Sequence, residues 1–172
     1  MRGIRRTAIV VLAVVAMGVF HDTKAQSNRM KHKLGVHLGL IGDPFPTLIG
    51  FNVNYNVLDF LRATAGYGSI SVTSGGGELT ATTIGLGVRG MVPDWNFTPV
   101  VGLSWATVSV SVTGGATGDV GGFSGSGSHL YATFGVDWQT GAGFNVGAGY
   151  NLSLASGVGG LPYLNLGWYF SI

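Results

Sequence analysis

Apolar and polar side chains alternate along most of this chain, with a period of two residues. In the clearest segment, 48–57, the apolar residues Phe51, Val53 and Tyr55 are separated by asparagines. Side chains of a strand point alternately to its two faces. The pattern therefore predicts strands that have one apolar face and one face of small or polar residues.

Eight segments follow this pattern, and the connections between them alternate in length. The predicted strands are 34–40, 48–57, 61–72, 79–90, 97–110, 129–139, 143–154 and 161–172. Most have the ~9–11 residues that a tilted membrane-crossing strand needs. The connections at one side (57–60, 91–96, 139–142) are short, and those at the other side (41–47, 73–78, 111–128, 155–160) are longer or richer in glycine.

Three local features refine this prediction. Asp43-Pro44-Phe45-Pro46 is expected to be a turn. The Gly- and Ser-rich stretch 113–128 is expected to be the longest loop. The alternation changes phase near Ser69, where a β-bulge would explain the switch.

The composition favours a barrel that crosses a membrane. Charged residues make up 9% of the chain, against about a quarter in soluble domains, and mean hydropathy is +0.40. No apolar run beyond the N-terminal region approaches the ~20 residues of a membrane helix. A soluble barrel or sandwich would carry charges on its outer face, whereas the polar face here is Gly, Asn, Thr and Ser. The predicted fold is all-β: an eight-stranded antiparallel up-and-down transmembrane β-barrel.

The N-terminal region predicts export. Basic residues precede an apolar run that ends near Phe20, and small and polar residues follow, so 1–25 is predicted to be a cleaved signal peptide. Residues 26–33 are predicted to be a periplasmic leader and 34–172 the barrel. The basic side chains of this leader (Arg29, Lys31 and Lys33) are expected to be solvated.

Without the signal peptide the chain has little net charge. The first 25 residues hold four of the nine Lys and Arg and one of the seven Asp and Glu, which leaves five basic and six acidic side chains. No basic patch indicates nucleic acid as a partner. The chain has no Cys, which excludes disulfides and thiol chemistry.

The last strand carries a recognisable pattern. Asn165, Gly167, Phe170 and Ile172 match the polar-x-Gly-x-x-apolar-x-apolar assembly signal that ends bacterial outer-membrane barrels, although that family usually ends in Phe. From residue 34 onward the chain resembles the small outer-membrane barrels of the OmpA-transmembrane and OmpX type. The resemblance implies localisation in the bacterial outer membrane. It also implies outer-membrane lipid, lipopolysaccharide and the barrel-assembly machinery as partners.

Aromatic residues are expected to form two girdles at the membrane interfaces. One contains Tyr55, Trp95, Phe97, Trp138, Phe144 and Trp168, and the other contains Phe45, Tyr67, Trp105, Tyr150 and Tyr163.

Three charged residues fall on the lumen face of the predicted strands. Arg62, Arg89 and Asp137 should lie at similar depth, near the periplasmic end. A lone charge in a narrow barrel is poorly solvated, so Asp137 is expected to pair with one of the arginines. The cluster is interpreted as a structural plug, with a gate or ion path as the alternative, because eight strands enclose little more than their own side chains.

Motifs for catalysis, metals and cofactors are weak. The string Gly85–Gly90 matches G-x-G-x-x-G but lies in a predicted strand with no helix after it, so no cofactor is expected. Ser128, His129 and Asp137 are a conceivable catalytic trio, but Asp137 should lie far below His129. His37 lacks the His-x-Ser string of the barrel deacylases, and no metal site is expected.

The sequence therefore predicts a non-enzymatic outer-membrane protein with a structural or surface-interaction role and a plugged lumen. A small channel or a carrier of hydrophobic ligands is the alternative, because lumen glycines could leave a cavity. A lipid A-modifying enzyme is a third and weaker possibility.

Overall fold

The computed structural model describes residues 28–44, 49–74, 77–93, 95–114, 123–155 and 159–172. A short helix, α1 (Asn28–Lys31), precedes eight strands. The strands are β1 (Leu34–Ile41), β2 (Gly50–Leu58), β3 (Leu61–Ser74), β4 (Gly77–Met91), β5 (Phe97–Thr113), β6 (Phe123–Gln139), β7 (Phe144–Ser153) and β8 (Gly160–Phe170). The predicted signal peptide, 1–25, lies outside the described residues. Within the described ranges no helix is long and apolar enough to cross a membrane.

The strands form one closed antiparallel barrel in which each strand pairs with its neighbours in sequence. The first and last strands close it, with Leu34 opposite Phe170 and Leu38 opposite Leu166. Closure leaves no open edge along the barrel wall. The predicted fold class is confirmed.

The two faces of the wall have the polarities that the alternation predicts. On β2, Phe51 is 59% exposed on the outside, while Asn54 and Asn56 are buried inside. The same arrangement repeats around the barrel and gives an outer apolar belt and a polar lumen. This apolar belt includes Val36, Leu38, Phe51, Val53, Tyr67, Ile84, Leu86, Val88, Leu103, Trp105, Leu130, Phe134 and Leu152.

Strand lengths differ between the two halves of the barrel. β1, β2, β7 and β8 have 8 to 11 residues, whereas β3 to β6 have 14 to 17. The extra length projects beyond the rim opposite to Leu34 and Phe170, because β2 pairs with β3 only as far as Gly68. We name the rim near Leu34 the proximal end and the opposite rim the distal end. The projecting four-stranded sheet, residues 69–74, 77–83, 107–113 and 123–129, is the distal extension.

The distal extension corrects two predictions. Residues 123–128 are not loop: they belong to β6 and pair with β5, from Val112 opposite Phe123 to Thr107 opposite Ser128. Their alternating Ser and Gly have low strand propensity, but pairing with β5 overrides it. The bulge expected near Ser69 is also wrong, because β3 and β4 pair without a break as far as Ser74 and Gly77.

Candidate functional site

An ion pair crosses the lumen in the proximal half of the barrel. Arg62 on β3 contacts Asp137 on β6 through Nη1 and Oδ2, and both side chains are almost fully buried. Arg62 Nε also donates a hydrogen bond to Asn56 Oδ1 at 3.1 Å. The ion pair therefore links two strands that are not neighbours in the wall and share no backbone hydrogen bonds.

A second ion pair lies beside the first. Arg89 is directly opposite Arg62 in the β3–β4 register. Its Nη2 lies 3.1 Å from Asp43 Oδ1, and Asn165 Nδ2 donates a hydrogen bond to the other carboxylate oxygen. Two adjacent arginines would repel each other in a buried site, so a carboxylate for each keeps the charge balanced.

Asp43 reaches the lumen because the chain after β1 folds inward. Residues 42–44 are all buried, and we name them the lumen strap. Asn151 Nδ2 donates a hydrogen bond to Gly42 O at 2.7 Å, and Thr133 orients Asn151 through a 2.7 Å hydrogen bond. The described part of the turn expected at 43–46, Asp43 and Pro44, therefore lies inside the lumen, and residues 45–46 lie outside the described residues. Asp43 is a lumen charge that sequence reasoning missed.

Glycines of the wall make room for the lumen strap. A Cβ atom added to Gly66 would lie 2.9 Å from Pro44 Cβ, and one added to Gly85 would lie 3.7 Å away. The lumen void beside Pro44 has a volume of only about 10 Å³. Gly66 therefore accommodates the strap at Pro44, whereas a Cβ atom at Gly85 would make only an ordinary van der Waals contact with it.

Two tyrosines pack on the arginines. The Arg62 guanidinium carbon lies 4.9 Å from the ring centre of Tyr169, and that of Arg89 lies 5.4 Å from the ring centre of Tyr163. Tyr163 is 2% exposed, so its assignment to an aromatic girdle is wrong. It shares the lumen face of β8 with Asn165, two residues further along the strand.

The segment before β1 covers the proximal end. Arg29 on α1 donates hydrogen bonds to the carbonyl oxygens of Val92 (3.0 Å) and Trp95, and Asn56 Nδ2 donates to His32 O at 3.0 Å. The Arg29 side chain is 2% exposed, so the expected solvation of this residue is wrong. Burial, followed by the nearby charge of Arg62, lowers the pKa of Arg29 to about 10, which leaves it a cation at neutral pH.

The distal extension has the opposite polarity to the wall below it. Its inner face carries aliphatic and aromatic side chains, including Ile70, Leu79, Val110 and Phe123. Its outer face carries hydroxyls and one acid, Glu78. We name these hydroxyl residues the hydroxyl ladder: Ser69, Ser71, Thr73, Thr80, Thr82, Thr107, Ser109, Ser111, Thr113, Ser124, Ser126 and Ser128.

Comparison with known proteins identifies the fold. No protein-family model matches the sequence, and no curated protein matches it. Among solved structures, the N-terminal β-barrel domain of OprF from Pseudomonas aeruginosa matches with a TM-score of 0.57 and 12% identity, over 81% of this chain and 98% of that one. The attachment invasion locus protein Ail of Yersinia pestis, solved with the heparin analogue sucrose octasulfate, matches with a TM-score of 0.51 and 13% identity, over 80% and 93%.

The chain has the fold of the eight-stranded outer-membrane barrels. Within that fold, the residues of the C-terminal pattern have separate positions. Asn165 binds Asp43 in the lumen, and Gly167 packs against the His37 ring. Phe170 and Ile172 are exposed outside the barrel, at 48% and 73%. Recognition of this pattern by an assembly machinery stays a prediction.

The residues considered for catalysis do not come together in this barrel. His129 and Asp137 are eight residues apart on β6, which separates them by roughly 26 Å along the strand. His37 packs edge-on against Tyr169, with 4.9 Å between ring centres. Gly85–Gly90 lies within β4, and the described residues contain no cluster of His, Asp and Glu that could hold a metal.

Proposed function

We propose that this protein is an outer-membrane barrel without catalytic activity, closed to solutes, which presents its distal extension as an interaction surface. One observation supports this most: an exposed apolar belt surrounds a lumen filled by two ion pairs. This arrangement inverts the usual relation between core and surface. It suits a chain with lipid outside and little solvent inside.

The apolar belt supports membrane insertion. Leu86 is 56% exposed and Phe97 61% exposed. Such a continuous exposed surface is far larger than soluble monomers tolerate. Outer-membrane lipid and lipopolysaccharide are the proposed surroundings, and the proposed assembly route is the barrel-assembly machinery, after export with cleavage of residues 1–25.

The lumen contents support closure. The void beside Pro44 has room for about one water molecule. A channel or a carrier of hydrophobic ligands would need the lumen strap to leave and would separate Asp43 from Arg89. No observation favours that movement.

The distal extension supports a surface role. It is the part of the described chain that projects beyond the barrel wall, and it exposes polar and apolar faces together. The likeness to Ail concerns the fold, and the binding of a heparin analogue belongs to Ail. Catalysis would need a nucleophile and a base within hydrogen-bond reach, which Ser128, His129 and Asp137 do not provide.

Membrane fractionation tests the placement. We expect the full chain, expressed with its N-terminal region, to be recovered with outer membranes and to migrate differently on gels before and after boiling. Recovery in the soluble periplasmic fraction without detergent would contradict the proposal.

Planar-bilayer recordings test closure. We expect little conductance from the wild type, and more from Asp43→Ala, which releases the lumen strap from Arg89 and Asn165. Glu78→Gln, on the distal extension, is the matched control and should behave as the wild type. Steady conductance by the wild type would favour the channel.

A further inference from the structure

The outer face of the distal extension continues the lipid-facing surface but changes its chemistry within one row of residues. Tyr67 and Ile84 form the last apolar cross-strand pair, and Ser69 and Thr82 form the next one on the same face. The register across this boundary is unbroken, so both rows belong to one continuous surface. The hydroxyl ladder therefore begins where the apolar belt ends.

This position fixes what surrounds the ladder in a membrane. Residues two apart on a strand are separated by about 6.7 Å along it. Ser71 is thus within roughly one to two nanometres of the apolar boundary at Tyr67. In a bilayer this layer contains lipid headgroups. The side chains of the hydroxyl ladder point outward, parallel to the membrane plane, toward the surrounding lipid headgroups. The tips of the strands extend beyond the headgroup layer.

The hydroxyl ladder includes a shallow groove in which some hydroxyls make no side-chain hydrogen bond. The groove has a volume of about 450 Å³ and runs over the outer faces of β4, β5 and β6. Ser71 and Thr80 share a 3.1 Å hydrogen bond, and Thr107 and Ser128 share one of 3.0 Å. Among the described residues, the groove-lining hydroxyls that make no side-chain hydrogen bond are Ser109, Ser111, Ser124 and Ser126.

We propose that the hydroxyl ladder binds the uncharged sugar headgroups of glycolipids in the leaflet around the barrel. A hydroxyl both donates and accepts hydrogen bonds, and so does each hydroxyl of a sugar. The four ranges of the distal extension contain no Lys or Arg, and Glu78 is the acid on this face. Recognition of phosphate or sulfate would need cations there.

Weak contacts also favour a membrane-bound sugar over a free one. Neutral hydrogen bonds to exposed hydroxyls contribute little, because water competes for both partners. The described ladder has no aromatic ring on which a sugar could stack. A glycolipid inserted beside the apolar belt is already held at a high effective concentration, so several weak contacts suffice.

The test uses the full chain in nanodiscs of phosphatidylcholine that contain digalactosyldiacylglycerol. Native mass spectrometry then measures the lipids retained on the protein. We expect glycolipid to be enriched several-fold over its bulk fraction. A quadruple Ser→Ala variant at positions 109, 111, 124 and 126 should lose at least two-thirds of that enrichment. Val108→Ala with Val112→Ala, on the opposite face of β5 and outside the groove, is the matched control and should keep it.

The inference rests on the proposed membrane placement, and the outcomes separate the two. A chain that does not enter nanodiscs, or shows no heat-modifiable migration from them, contradicts the proposed function itself. Insertion without glycolipid enrichment, or enrichment that the quadruple variant retains, overturns only the sugar-binding role. Equal enrichment of phosphatidylglycerol in a parallel sample also overturns it, because the selectivity would not be for neutral sugars.

Discussion

Four strands, β3 to β6, run from the barrel wall into the distal extension, yet the equivalent faces of the two regions have opposite polarity. On β4, Leu86 faces outward in the wall and Thr80 faces outward in the extension. On the inner side, buried Arg89 gives way to Leu79 near the tip of the sheet. No bulge separates the two regions, so the pairing register of β3 to β6 continues unbroken from one to the other.

With the wall in lipid, as proposed, this difference follows from the medium at each face and not from the strand. Lipid outside and a narrow lumen inside require apolar-out and polar-in residues in the wall. The extension has no lumen, and in the proposed membrane placement headgroups replace acyl chains at its outer face. On that placement, the outer boundary of the apolar layer lies between Tyr67 and Ser69.

The largest effect should come from removing one buried charge of the wall. Asp137→Ala leaves Arg62 without its carboxylate partner, and should lower the free energy of unfolding by about 3–5 kcal/mol. Denaturant titration of the protein in lipid vesicles measures it. Arg62→Met combined with Asp137→Leu should cost less than the single change. Glu78→Ala, an exposed acid on the extension, should stay within about 0.5 kcal/mol of the wild type. An equal loss for the single and double variants would contradict the buried-charge account.

The wall was largely predictable from the sequence, because a period of two fixes which side chains share a face. The alternation of side chains along each strand is enough to put Arg62, Arg89 and Asp137 on the lumen side. It could not place Asp43, because turn residues do not reveal whether a connection folds outward or into the barrel. Local composition similarly concealed the strand at 123–128, whose partner lies on β5. Arg29 was missed because its burial depends on carbonyl oxygens of a distant turn.

A second prediction compares the two regions on one strand. Leu86→Lys puts a cation in the apolar layer and should cost up to about 2–4 kcal/mol, depending on depth. Thr80→Lys, on the same face six residues away, should change stability by about 0.5 kcal/mol or less. The free energy of unfolding from vesicles is the measurement. Similar losses of unfolding free energy at Leu86 and Thr80 would show that the boundary of the apolar layer does not lie between them.

Substitutions at the proximal end should lower the free energy of unfolding less than the substitutions in the wall. Arg29→Met keeps the aliphatic stem but leaves the carbonyl oxygens of Val92 and Trp95 without this donor, at a cost of about 1.5–3 kcal/mol. Lys31→Met, at an exposed position on α1, is the control and should have little effect on the same unfolding titration. Equal responses would mean that Arg29 does not close this end.

The smallest effect on stability is expected at the proximal rim. Two substitutions there distinguish recognition by the assembly machinery from folding of the barrel. Phe170→Asp and Phe97→Asp both place a carboxylate on an exposed outer position near this rim. Each should cost no more than about 1 kcal/mol when the purified protein folds into vesicles, because charges are tolerated near the interface. In cells, only Phe170→Asp alters the predicted assembly signal, so it alone should fail to appear in outer membranes.

If both variants assemble equally well, Phe170 is one more residue of the apolar belt. If Phe170→Asp fails in both settings, its role is in the stability of β8, and recognition need not be invoked.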